Sequence, residues 1–435
     1  MNSGTPHQPG CHYRPRTSRT AIGTLDERIH HLVDLDWEDG GLSSPGHARH
    51  AATVNDAMSC FGVPAPADLP VGANSPPVAA PSLRIARASV SPRSLLVVPE
   101  LGAWEDQWDA LLNASELPTP FLRSWWLRGA KGPHGRFHLV VEEGRLLGGL
   151  ALERSPHHLA WRVMGHPALS ADHLDLLAVP GRERAVVGEL QQWFGRSGTR
   201  FFDLVGTREG ARLKEALPGQ PSVEAVTTAP YLRLPPSIDA FRASLPAQLR
   251  HNLRRANVRF SNEGIRHVVL RGRAALGELA VLRELHANQW GARSHFLPGY
   301  ESFLAACRGG AAADEVVVHQ LRTDRTVVAM VVTFEVAGRI SLYQSARLTD
   351  ARWRDAMTTL LTAVIDDGCT RRVAEVDFLR GREQYKRRFT ATERPISRLV
   401  AGHGLPGHVL ALESRTRVRT KQTTVRFARA LRGRH

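Results

Sequence analysis

The ten residues Asp377-Phe378-Leu379-Arg380-Gly381-Arg382-Glu383-Gln384-Tyr385-Lys386 gather two carboxylates, a phenol and an ammonium around one glycine turn. Alternation along the preceding extended stretch puts Glu375, Asp377 and Leu379 on one face, with Val376 and Phe378 on the other. Asp377 placed this way either serves as a general base, or orients one, or pairs with a neighbouring arginine; Glu383 is the alternative base. Lys386 draws notice because the chain holds 57 basic side chains, and lysine occurs only at 131, 214, 386 and 421. A compact ammonium suits an oxyanion or phosphate as a point charge in a way that a planar guanidinium does not. The plain alternative is a surface lysine. Arg380 either binds an anionic group of the substrate or caps the strand end.

Upstream, Tyr343 and Gln344 close a strand that leads into Ala346–Ala356. They line a pocket there or pack in the core. The stretch itself has Arg352 and Arg354 to meet an anion but no glycine, so its backbone approaches a phosphate less freely. A further basic constellation spans Ser244 to Gly264. Leu249, Leu253, Ala256 and Phe260 fall at i, i+4, i+7 and i+11, the apolar stripe of a helix that Gly264 ends. Arg250 and Arg254 line one flank of the stripe, Arg255 and Arg259 the other. Each pair either grips a carboxylate or phosphate bidentately or is a solvated face with weak surface ion pairs. His286 shares the inner face of a predicted helix with Leu279 and Leu282, which suits a core histidine. No P-loop, Ser/His/Asp order or zinc spacing is present, so no metal is expected.

These groups need elements to hold them, and the same order of elements occurs twice after Leu95. In the first half the patterns predict helices over 103–113 and 121–127, and strands over 136–141, 146–152 and 159–164. A helix over 182–194 and a strand over 201–205 follow. In the second half they predict a helix over 275–288, a helical segment over 300–307, and strands over 316–321, 327–334 and 340–344. A helix over 355–366, capped at Gly368, and a strand over 374–379 complete it. Asp203 and Asp377 occupy matching strands roughly 175 residues apart, a spacing that fits a duplicated domain. Runs such as Val327-Val328-Ala329-Met330-Val331-Val332 require helices on both faces of the sheet. The fold class is therefore α/β with a mixed sheet, used twice. The expected organisation is a disordered Pro/Gly/Ser-rich extension over 1–92, domains over 93–235 and 236–402, and a basic tail over 403–435.

With 435 residues, 42% hydrophobic and 23% charged, the chain reads as globular. It lacks both a secretory signal pattern and an apolar run long enough to span a membrane. Four dispersed cysteines suggest reduced thiols and a cytoplasmic setting. The net charge is +15, but from Glu413 onward eight basic residues face one acid, leaving +8 on the rest. That tail suits an anionic surface or nucleic acid, or is a frayed, solubilising end.

Arg250-His251-Asn252-Leu253-Arg254-Arg255, Leu285-His286-Ala287-Asn288-Gln289-Trp290 and Asp377 to Lys386 resemble successive blocks of the GNAT-type acyltransferases. The similarity is to the CelD/BioF2-like branch, which resembles the Fem-type aminoacyl transferases with two GNAT domains in tandem. It covers about 95–400. Tyr385-Lys386-Arg387-Arg388-Phe389 also resembles the Fem-type F-K-x-x-F motif, with Tyr for the first Phe. The resemblance implies acyl transfer from acetyl-CoA, as co-substrate, to an amine or hydroxyl of a sugar, small molecule or envelope-polymer precursor. Asp377, Lys386 and Glu383 become the catalytic candidates; Arg352, Arg354 and Gln344 face the cofactor, and Arg254, Arg380, Tyr343 and Tyr385 the substrate. The alternatives are an aminoacyl-tRNA-dependent transferase, the one enzyme reading with a nucleic-acid partner, and a non-catalytic module that binds an anionic polymer.

Overall fold

The computed structural model describes residues 93–416, apart from 156–159, 167, 197–199, 382 and 391. The extension over 1–92 and the tail beyond 416 lie outside the described residues.

The first half runs β1 (Ser94–Val98), α1 (Glu105–Asn113), α2 (Ser124–Ala130), β2 (Gly135–Glu142), β3 (Arg145–Arg154), β4 (Ala160–Val163) and β5 (Leu177–Ala178). It continues through α3 (Glu183–Gly195), β6 (Arg200–Arg208), α4 (Leu213–Ala216) and β7 (Ser222–Arg233). The second half opens with α5 (Ile238–Ser244), α6 (Ala247–Asn262), β8 (Arg266–Arg271), α7 (Gly272–Gly277), α8 (Leu279–Trp290) and α9 (Tyr300–Ala312). Then come β9 (Val316–Arg322), β10 (Val327–Val336), β11 (Arg339–Arg347), α10 (Ala356–Thr370), β12 (Glu375–Asp377), α11 (Gln384–Arg387) and β13 (Glu393–His403). Among the described residues these thirteen strands form one mixed sheet. No described helix is long and apolar enough to cross a membrane.

The order across the sheet is β1-β2-β3-β4-β6-β13-β7-β12-β11-β10-β9-β8, with β5 on β3. Read inward from each edge, the halves repeat: antiparallel neighbours, then one parallel pair (β4 with β6, β11 with β12) that encloses a helical crossover. At the centre the last strands are exchanged. β13 of the second half pairs with β6 of the first, while β7 of the first pairs with β12 of the second. β7 and β13 also pair with each other, from Glu393 opposite Pro230 to Val400 opposite Ser222. Asp203 and Asp377 occupy equivalent strands, as the repeat predicts. The exchanged strands themselves were not anticipated: β7 alternates weakly and β13 opens with charge and proline, so neither has a strong period-two signature.

Two large cores and one small one lie against the sheet. One joins both halves: Trp125 and Trp126 of α2 set their rings 5.5 and 5.4 Å from Phe334 of β10, and Tyr343 lies 5.7 Å from Phe121. The other lies under α6 and α10, where Leu253, Ala256 and Phe260 meet Leu360, Val364, Val376 and Phe378. The predicted stripe of α6 is thus its buried face, and Gly264 follows it at φ +68°.

Two boundaries differ from expectation. The helix expected over 275–288 breaks after Gly277, where the Glu278 carboxylate accepts a hydrogen bond from Gln320 at 2.9 Å. Gly368 is no cap: α10 runs on to Thr370, and a Cβ at Gly368 would stand 2.7 Å from Leu234 Cδ1. A side chain there would have to displace that of Leu234 in the chain leaving β7.

Candidate active site

The parallel ladder between β11 and β12 is short. Arg339 faces Glu375, Ile340 faces Val376 and Ser341 faces Asp377, where β12 ends. β11 continues to Arg347 paired only with β10, so the sheet opens into a wedge beyond Ser341. The matching opening of the first half is filled by its own chain. Leu174 bridges to Thr207, donating its N–H to Gly206 O at 2.9 Å and accepting from Arg208 N at 3.2 Å. In the second half the wedge receives the Tyr385 phenol, which hydrogen-bonds with Ser345. Burial raises the Tyr385 pKa, and Glu383 adds to the effect, so the phenol stays protonated.

Asp377 sits at the root of this wedge, 1% exposed. Its Oδ1 accepts the Leu379 N–H at 2.8 Å. Its Oδ2 lies 2.9 Å from His173 Nε2, an ion-pair distance with the ring off the hydrogen-bonding line. Arg339 and Arg394 approach that oxygen at 3.4 and 3.5 Å, but both are held more closely by Glu375. Burial pushes the Asp377 carboxyl up; His173, Arg339 and the Leu379 N–H together outweigh it, leaving the pKa below the usual carboxylate value. His173 is itself buried, and its Nδ1 has no hydrogen-bond partner.

The turn after Asp377 is locked to the first half. Arg380 N donates to Asp172 Oδ2 at 2.8 Å, its Nε to Asp172 Oδ1 at 2.5 Å, and its Nη2 to Ala171 O at 2.5 Å. Lys386 Nζ donates to Arg380 O at 2.7 Å and lies 3.0 Å from Glu383 Oε2. The sequence therefore brings Arg380, Glu383 and Lys386 together with Asp377 on one turn. The lysine is buried and committed to closing that turn, and its links to Asp377 run through the backbone around Arg380. Left-handed backbone is concentrated here: Ser170 at φ +36°, His173 at +58° and Leu379 at +54°. Such conformations cost free energy and persist where surrounding contacts over-determine them.

Tyr343 donates its hydroxyl to Leu169 O at 2.9 Å, on the same first-half loop, and burial raises its pKa. Gln344 hydrogen-bonds with His286, whose Nδ1 also lies 2.9 Å from Ser294 Oγ. Desolvation lowers the His286 pKa to about 4 against the Gln344 contact, so this histidine is a neutral core group. Arg352 and Arg354 are exposed beside the N-terminus of α10. Arg352 lies 4.1 Å over the Trp353 ring, and its backbone N–H is taken by Asp350 at 2.8 Å. Arg254 stands apart from all of these. It lines a groove between α6 and α10, of about 200 Å³, on the sheet face that carries Val376 and Phe378. Arg250 caps the end of α5 through Leu245 O at 2.6 Å, and Arg259 pairs with Asp355 at 3.3 Å, so neither flank of α6 is a free arginine pair.

Sequence reasoning missed His173, Asp172, Arg339 and Arg394. Asp172 and His173 lie in an irregular loop some 200 residues from their partners, with no periodicity to mark them. Arg394 had one usable signal: it follows the aromatic-Lys-x-x-Phe block at the start of the next strand.

Residues 247–387 match the family model of the acetyltransferase (GNAT) domain. Among solved structures, FemX is 9% identical, with 67% of this chain and 95% of that chain covered at a TM-score of 0.50, a likeness of fold. The C-terminal domain of a putative lysylphosphatidylglycerol synthetase from Agrobacterium fabrum is 13% identical, with 72% and 96% covered at 0.46. A tandem GNAT protein from the clavulanic acid biosynthesis pathway is 13% identical, with 72% and 99% covered at 0.37. No curated protein matches the sequence.

Proposed function

For a chain that carries a GNAT-type acetyltransferase domain in its second half, we propose an acyltransferase that moves an acetyl group from acetyl-CoA to an amine or hydroxyl. The acceptor class is a sugar, small molecule or envelope-polymer precursor. The observation that carries this reading is the wedge beyond Ser341, entered by the Tyr385 phenol in the second half and bridged by Leu174 in the first, with a buried carboxylate–imidazole pair at its root.

In this reading Asp377 holds His173, and the unpartnered His173 Nδ1 takes the proton from the acceptor as its nitrogen or oxygen attacks the thioester carbonyl. The new C–N or C–O bond forms as the C–S bond breaks, and the thiolate leaves with the electron pair. Tyr385 lines the wedge against the acceptor, while Lys386, Glu383 and Arg380 fix the turn that carries Asp377. The residues at the start of α10 fit an anionic cofactor through side chains: Arg352 and Arg354 would hold the pyrophosphate, and Gln344 an amide of the pantetheine arm. Bound acetyl-CoA supplies the activated acyl group.

The missing glycine in Ala346–Ala356 counts against a CoA donor and toward a non-catalytic module for an anionic polymer; the second enzyme reading has an aminoacyl-tRNA as donor. Thermal shift with acetyl-CoA, free CoA and a generic tRNA in parallel separates the two, because a ligand of the native state raises the midpoint by mass action. A shift with tRNA alone replaces the first reading with the second. With an acceptor in hand, His173→Ala and Asp377→Asn are each expected to lower turnover about ten-fold or more. Unchanged turnover in both removes the pair from the mechanism.

A further inference from the structure

The chain leaves β13 through Gly404, at φ +73°, into a helix over 404–416 whose two faces are both apolar. The inner face is accounted for. Gly407 and Ala411 are buried, Leu410 packs on the small core of Ala160, Phe201, Val400 and Ala411, and Ser414 Oγ accepts from Arg398 at 2.6 Å. A Cβ at Gly402 would lie 2.3 Å from Gly407 O, so the helix is pressed against the end of β13. On the opposite side, Leu405, Val409 and Leu412 fall at i, i+4 and i+7 and are 80%, 57% and 64% exposed. They are three of the four most exposed large apolar side chains among the described residues. An apolar stripe on the outside of a docked helix is suited to a second surface.

The charge that follows the stripe in the sequence says which kind. Basic residues stand at 415, 417, 419, 421, 426, 429, 432 and 434, and the one acid between 413 and the last residue is Glu413. A second copy of the chain packed on this stripe would bring two such sets of like charge together. A nucleic acid would meet the charge but leave the stripe in water. A lipid surface with anionic headgroups satisfies both, since leucine and valine enter the acyl boundary while arginines stay among the phosphates. We propose that Leu405, Val409 and Leu412, on the helix that ends beside Arg415, dock the protein peripherally on an anionic lipid surface.

The test is vesicle co-sedimentation of the full chain with phosphatidylcholine vesicles, with and without phosphatidylglycerol. The stripe is exposed, so Leu405→Ser, Val409→Ser and Leu412→Ser combined should leave the fold intact, checked by the unfolding midpoint. Binding is expected only with phosphatidylglycerol, weakened about ten-fold or more by the triple substitution and also by high salt. Absence of binding to either vesicle overturns the proposal. So does undiminished binding by the triple variant, which assigns the contact to charge alone. A dimer that the triple variant dissolves would assign the stripe to a second copy, and RNA binding without vesicle binding would assign the charges to nucleic acid.

Discussion

Replacing Asp377 by asparagine keeps the side-chain volume and removes one buried negative charge, so the cost follows from what that charge touches. Arg394 stands 2.6 Å from Glu375 but 3.5 Å from Asp377. Arg339 is likewise closer to Glu375, so both guanidinium groups keep a partner in the variant. The Leu379 N–H can still donate to the asparagine oxygen. What disappears is the contact with His173 at 2.9 Å. Stripping a buried pair of one member costs about 3–5 kcal/mol, and leaving a buried polar group without its partner costs about 1–3 kcal/mol. With Glu375 retained, the lower range applies. Urea unfolding at neutral pH is expected to show the midpoint of Asp377→Asn lowered by that amount, with an unchanged denaturant slope. The pH dependence carries a sign. The carboxyl is depressed below its ordinary value of 3.8 in the native state, so its stabilisation is present above that value and is lost as pH falls through the lower native pKa. The gap between wild type and variant should therefore be constant from about pH 7 to 5 and narrow below about pH 4. No gap at neutral pH, or one that survives unchanged in strong acid, would refute the assignment of a stabilising charge at this position.

Gly206 offers a test of the strained interface: its φ is +99°, and an added Cβ would stand 2.1 Å from Ala171 O. Gly206→Ala should cost roughly 1–3 kcal/mol, measured as a fall in the thermal midpoint larger than that of Gly181→Ala, where φ is +84° but no atom stands within 4 Å. His286, held at about 4 by desolvation against an ordinary value of 6.5, is neutral in the fold and charged in the acid-unfolded chain. Its depressed pKa makes stability present above about 6.5 and lost toward 4, up to about 3 kcal/mol; His319, lowered to about 3 by burial, acts in the same direction. Urea midpoints at about pH 7 and 5 should differ, and His286→Gln should shrink the difference.

Strands such as β2, β3, β9, β10 and β11 and the longer helices are legible because their apolar runs are long, as with the valines of β10 and the stripe of α6; the edge strands β1 and β8, largely exposed or half-buried, carry no such run. Asp377 is legible because it ends such a run. Its surroundings are not. His173 and Asp172 come from a loop whose shape is set by tertiary contact, with non-glycine residues at positive φ that no local propensity announces. Lys386 shows the limit of arguing from rarity, since its ammonium is spent on Arg380 O and Glu383. Arg254 shows the limit of arguing from a helical wheel: the buried stripe of α6 was read correctly, but the wheel could not tell on which side of the sheet the helix would lie.

The crossing of β7 and β13 at the centre of the sheet sets an order of events during synthesis. β6 meets its second neighbour only when residues 393–403 have been made, and β7 borders nothing but strands that follow it by some 140 residues or more. The amino-terminal half thus leaves the ribosome with its innermost edge bare and must wait, exposed to rival pairings, for the end of the message. A break in the polypeptide near 235 would not release two finished units, because each would depart carrying the other's closing strand.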